Sequence, residues 1–159
     1  IQKAVFPVTI DPVVQTATTN AAVCDAYIWA NSPNTNYGSV HLMRCGDGTG
    51  GESLALIKFN KLIKLRASDT VLSAQLRVTA YDYYSADEIM GCYPIKTNWT
   101  EEGVTWNSMT PTNDTHISKD LIAYITATNY TYCYFDITAQ YRDWYRLRKR
   151  RSLFTALAL

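Results

Sequence analysis

Residues 72–84, LSAQLRVTAYDYY, alternate strictly: Ala74, Leu76, Val78 and Ala80 are apolar, and Gln75, Arg77, Thr79 and Tyr81 stand between them. A period of two marks a strand with one face in the core. Two other stretches share it. In SLALIKFN (53–60), Ala55, Ile57 and Phe59 alternate with Leu54, Leu56 and Lys58. In YTYCYFDIT (130–138), Thr131, Cys133, Phe135 and Ile137 alternate with Tyr130, Tyr132 and Tyr134. Shorter β-like runs lie at 23–29, 40–45, 88–95, 121–126 and 153–159. Turn chemistry separates them: NSPNTNYGS (31–39), GDGTGGE (46–52) and TPTND (110–114). Many short strands divided by Gly, Pro and Asn clusters predict an all-β antiparallel sandwich or barrel.

One stretch changes period. In DITAQYRDWYRL (136–147), Ile137, Tyr141 and Trp144 fall on one helical face, and Asp136 or Thr138 can cap its start. This predicts one short helix near the C-terminus, lying across one end of the sandwich. Residues 1–20 carry Pro7 and Pro12 and read as an extended lead-in strand or linker, which leaves 21–159 as a single domain.

Composition sharpens this picture. Tyr supplies 12 of the 159 residues, and Tyr and Thr suit a pleated, half-buried surface. The net charge of +1 provides no field to steer nucleic acid or an anionic membrane. No apolar run reaches the ~18 residues of a membrane span. Cys24, Cys45, Cys92 and Cys133 form no CxxC pair, and His41 and His116 are the only histidines, so material for a zinc site is poor. Each cysteine reads first as a small buried apolar residue, with one or two disulfides open in an exported protein.

The stretch WTEEGVTWNSM (99–109) holds two tryptophans and two carboxylates. Paired-carboxylate hydrolases need acids roughly 5–9 Å apart across a substrate. Glu101 and Glu102 are adjacent, so in extended chain they point to opposite sides, and no His, Asp or Lys pattern nearby would activate a nucleophile. The stretch reads as a corner. Trp99 and Trp106 cover the sandwich edge, Gly103 permits the turn, and Glu101 or Thr105 bonds backbone amides. The chain carries no triad and no convincing carboxylate pair, so it is read as a non-enzyme.

Tyr130, Tyr132 and Tyr134 are the sharper candidates. If Cys133, Phe135 and Ile137 face the core, the three rings stand in a row on the other face, roughly 6.5–7 Å apart. Flat rings stack on the apolar face of a sugar while their hydroxyls bond its edge; the competing readings are a tyrosine-rich face covered by a loop, or the opposite parity. Tyr81 extends the theme if its strand is adjacent. The basic run at 146–151, with Arg148 and Arg150, is the densest charge cluster and suits either an acidic polymer or a solvated turn after the helix. Asp25, Asp47 and Glu52 are calcium candidates, but their spacing matches no dedicated calcium loop, so no cofactor is expected. Asn98, Asn113 and Asn129 begin acceptor sequons that chance explains in a Thr- and Asn-rich chain.

DAYIWANSPNTNYGS (25–39), LIKFN (56–60), VLSAQLRVTAY (71–81), WTEEGVTWN (99–107) and FDITAQYRDWY (135–145) follow one another in an order that resembles DNRLRE domains, also called disaggregatase-related repeats. The resemblance covers residues 23–159. It implies a jelly-roll-like β-sandwich in secreted or cell-surface proteins of bacteria and archaea, with relatives among carbohydrate-binding modules of the alginate-binding type. The family's usual turn after the helix is replaced here by RLRKRRSLFTALAL (146–159). The expected function is a non-catalytic module that binds polysaccharide or a cell-surface glycan through surface aromatic and basic residues. It would sit beside other domains of a larger chain and be monomeric in isolation. The alternative is a spacer or adhesion domain of a large surface protein without sugar affinity.

Overall fold

The computed structural model describes residues 23–47, 50–60, 65–66, 68–79, 89–109, 115–126 and 132–147, and the backbone of 152–157. Seven strands and one helix follow in the order β1 (Val23–Trp29), β2 (Ser53–Phe59), β3 (Gln75–Thr79), β4 (Ile89–Pro94), β5 (Ala123–Thr126), β6 (Tyr132–Asp136), α1 (Thr138–Leu147) and β7 (Ser152–Leu157). Two antiparallel sheets result. One is five-stranded, in the order β1-β2-β7-β4-β5; the other pairs β3 with β6. This is the all-β sandwich with one short C-terminal helix that the periodicity predicts.

The large sheet is buried on both faces. On one side, Ala26, Ile28, Leu54 and Leu56 pack against Ile95, Trp99, Val104, Met109 and Ile117 from the connections. On the other, Ile57, Met90 and Cys92 meet Leu76 and Phe135 of the small sheet together with Ile137 and Trp144. Both alternating sets of β2 are therefore apolar for a reason: each faces a core.

The helix begins as its capping residue dictates. The Thr138 amide donates to Asp136 Oδ1 at 2.9 Å, satisfying one of the first-turn N–H groups that have no partner within a helix. Trp144 is fully buried and meets Phe59 at 6.3 Å between ring centroids, where β1 begins and β2 finishes.

Two expectations shift. The run at 40–45 forms no strand. Its alternation is real, since Met43 and Cys45 pack on the second core, but only Gly46 bridges to Ser53. The strand expected across 72–84 extends over Gln75–Thr79; residues 80–88 lie outside the described residues. The lead-in at 1–20 also lies outside them.

Candidate functional site: the outer face of the small sheet

The corner motif is architecture. Trp99 is buried, and Trp106 packs against the same cluster. Gly103 and Val104 both donate their amides to the Thr100 carbonyl, closing the turn. Gly103 serves by close approach: a Cβ there would stand 2.7 Å from Thr100 Oγ1. Thr105 Oγ1 accepts the Ser108 amide, as expected, whereas Glu101 takes part through its backbone carbonyl.

That carbonyl and the Val104 carbonyl accept the two N–H donors of Asn36, at 2.8 and 2.7 Å, and Asn36 Oδ1 accepts the Gly38 amide at 3.2 Å. The Asn107 amide donates to the Pro33 carbonyl at 3.0 Å. The NSPNTNYGS segment and the corner are thus interlocked, and Gly38 is required because a Cβ there would lie 2.1 Å from the Glu101 oxygen. Lys58 donates to the Trp99 carbonyl and places its ammonium 4.9 Å from the ring centroid.

The small sheet has a different character. Antiparallel register sets Gln75 opposite Asp136, Arg77 opposite Tyr134 and Thr79 opposite Tyr132. Leu76, Cys133 and Phe135 are buried beneath it, with Val78 packed against the core, so these six residues point outward together. Tyr132 is 59% and Tyr134 47% exposed. Their ring centroids are 6.5 Å apart, but the planes meet at 63°, edge to face rather than as coplanar tiles. The Arg77 guanidinium lies 4.6 Å from the Tyr132 ring centroid, a cation–π contact that brings a positive charge into the row. Sequence reasoning placed Arg77 on the polar side of its strand and gave it no part in the site; the diagonal reach across the pair supplies that part.

Other candidates fall elsewhere. Tyr81, Tyr130, Arg148 and Arg150 lie outside the described residues. Arg146, at the start of the basic run, is exposed and 3.6 Å from Asp143. Asp47 and Glu52 flank the loop closed by the Gly46–Ser53 bridge, with Gly51 in the left-handed region (φ 80°). Burial, and then the Asp47 charge, push the Glu52 carboxyl above its usual range. Asp25 sits opposite Ile57, four strand residues or about 13 Å from the Trp29–Ser53 pair beside that loop. The three candidates do not converge, and among the described residues no three His, Cys, Asp or Glu side chains gather as a metal site would need.

A second aromatic group escaped the sequence reading. Tyr27 and Tyr37 stack at 4.3 Å, Trp29 meets Tyr37 at 6.4 Å, and Arg44 lies 5.5 Å from the Trp29 ring. The signal was available, since Tyr27 and Trp29 share one face of β1. These rings are turned on one another, and a Cβ at Gly50 would already be 2.8 Å from Trp29. They form a wall of the fold rather than an open platform.

The sequence profile of carbohydrate-binding module family 96 matches residues 16–156. The chain belongs to that family. A search of curated proteins found no match. Family 96 membership carries the carbohydrate-binding assignment, and no helix among the described residues is long and apolar enough to cross a membrane.

Proposed function

We propose that the chain is a non-catalytic module that binds polysaccharide on the outer face of β3 and β6. The observation that carries this reading is the pair of exposed tyrosines on a rigid strand pair, with Arg77 beside them. In a carbohydrate-binding family, exposed aromatic rings are the groups suited to stack on sugar C–H faces. Arg77 can bond ring hydroxyls or a uronate carboxylate, and the basic run after α1, including Arg148 and Arg150, would add attraction for an acidic polymer. Tyr130 and Tyr81 would lengthen the row. The module spans 21–159 after a lead-in at 1–20, works without cofactor, and belongs to a secreted or cell-surface prokaryotic protein of the DNRLRE kind.

The test is affinity electrophoresis against alginate and neutral polysaccharides. Tyr132→Ala should lower retardation at every salt concentration, because stacking is not screened. Arg148→Ala with Arg150→Ala should do so mainly at low salt, since the Debye length shrinks to ~3 Å at 1 M. Unchanged retardation of Tyr132→Ala by a gel that retards the parent would rule out the platform and favour the spacer reading.

A further inference from the structure

The outer face of β6 does not end at Tyr134. Asp136, two residues on, is exposed on the same face and forms part of the wall of an open groove of ≈ 470 Å³ at the start of α1. Leu72, Ser73, Ala123, Thr138 and Arg142 also line it.

The wall is held in place. Arg142 donates from Nε and Nη2 to the Val71 carbonyl at 2.9 and 2.6 Å, and from Nη2 to the Leu72 carbonyl at 3.3 Å. The Ala74 amide donates to Thr138 Oγ1 at 2.9 Å. The guanidinium is thus committed to backbone carbonyls. Hydrogen bonds from Thr138, side chain and backbone, hold the Asp136 carboxyl below the usual carboxylate range, with Arg142 adding to the effect.

We propose that this groove is a second subsite of the glycan surface and takes an uncharged sugar of a linear polysaccharide lying along β6. The inference rests on the tyrosine platform reading. The lining suits a sugar: Leu72 and Ala123 face its C–H groups, while Ser73, Thr138 and Asp136 can bond its hydroxyls. The Asp136 and Arg142 charges offset each other in the groove wall, so the groove offers a uronate no net attraction. Arg77 stands at the other end of the row, so the surface favours negative charge at the tyrosine end and a neutral sugar at the helix end.

The experiment is calorimetric titration of the full chain with two oligosaccharide ladders, oligomannuronates and their carboxyl-reduced, uncharged counterparts. Uncharged chains should gain affinity with length until both subsites are filled. Ser73→Met narrows the groove from an exposed position without adding an aromatic ring and removes the Ser73 hydroxyl; it should remove most of that gain, about tenfold for long chains, and leave short chains unchanged. Asp136→Asn keeps a residue that caps helices well. It should raise affinity for long oligomannuronates several-fold at low salt, a larger change than for uncharged chains, which lose only the difference between a carboxylate and an amide as hydroxyl partner. If Ser73→Met binds long chains as the parent does while Tyr132→Ala still weakens them, the groove is not a subsite and the platform stands. If the parent binds neither ladder, both readings fall.

Discussion

Replacing Asn36 separates architecture from recognition. Its amide donates to two carbonyls of the 99–106 corner and its oxygen accepts the Gly38 amide, so Asn36→Ala removes three hydrogen bonds from a half-buried site. Each contributes about 0.5–1.5 kcal/mol net. The sum is about 3 kcal/mol, with water reaching part of the vacated site and holding the loss from going higher. For a domain of this size, 1 kcal/mol shifts Tm by roughly 2–4 °C, which gives a drop of about 6–12 °C. Asn36→Asp should be worse at neutral pH although it is nearly isosteric. It keeps the acceptor for Gly38 but sets a carboxylate oxygen against the Glu101 and Val104 carbonyls. Below about pH 4 the protonated acid regains one donor, so the gap between the two variants should narrow. Urea and thermal unfolding followed by tryptophan fluorescence supply the stability, and gel retardation of the folded variants supplies the affinity. The reasoning is refuted if Asn36→Ala unfolds within about 0.5 kcal/mol of the parent, or if it keeps its stability and loses polysaccharide. The second outcome would make the corner a binding site.

Three further predictions follow from the packing. Among the described residues the buried Trp99 indole N–H has no hydrogen-bond partner, so Trp99→Phe discards a group already costing about 1–3 kcal/mol; it should be far milder than Trp99→Ala, which should lose about 3–5 kcal/mol, and equal losses in denaturant would refute this. Burial pushes the Cys92 thiol up to about 12 from its ordinary 9.0; the unfolded chain then releases this proton first, so this group makes stability fall as pH rises from about 9 towards 12, and at pH 8 Cys92 should react with maleimide only on unfolding, whereas rapid native labelling would contradict its burial. Deleting Ser152 onward removes a strand paired with both β2 and β4; the product should show no cooperative unfolding transition by circular dichroism, and a cooperative one would mean that the sheet closes without its last strand.

Local pattern was enough for the strands at 23–29 and 53–59 and for a helix carrying Trp144 inward; it gave the alternation of Cys133, Phe135 and Ile137 with the tyrosines, and the tertiary structure decided which set faces the core. In each, neighbours along the chain alternate between core and solvent, or between one core and another, and the period records it. The outward direction of Tyr132 and Tyr134 follows from that same parity. Whether another element covered them did not, because covering depends on the order of strands in space. The tertiary structure leaves their face open, brings Arg77 across from the neighbouring strand, and continues the row through Asp136 into a groove made with residues some sixty positions earlier. It also supplied the partners of WTEEGVTWNSM, which the sequence reads as a corner without naming what the corner packs on. Asn36, more than sixty residues away, donates to two backbone oxygens of that corner, and Gly38 lies close against one of them. The last strand teaches the same point: its sequence predicts a strand, but its place between β2 and β4 comes from long-range pairing that no local period encodes.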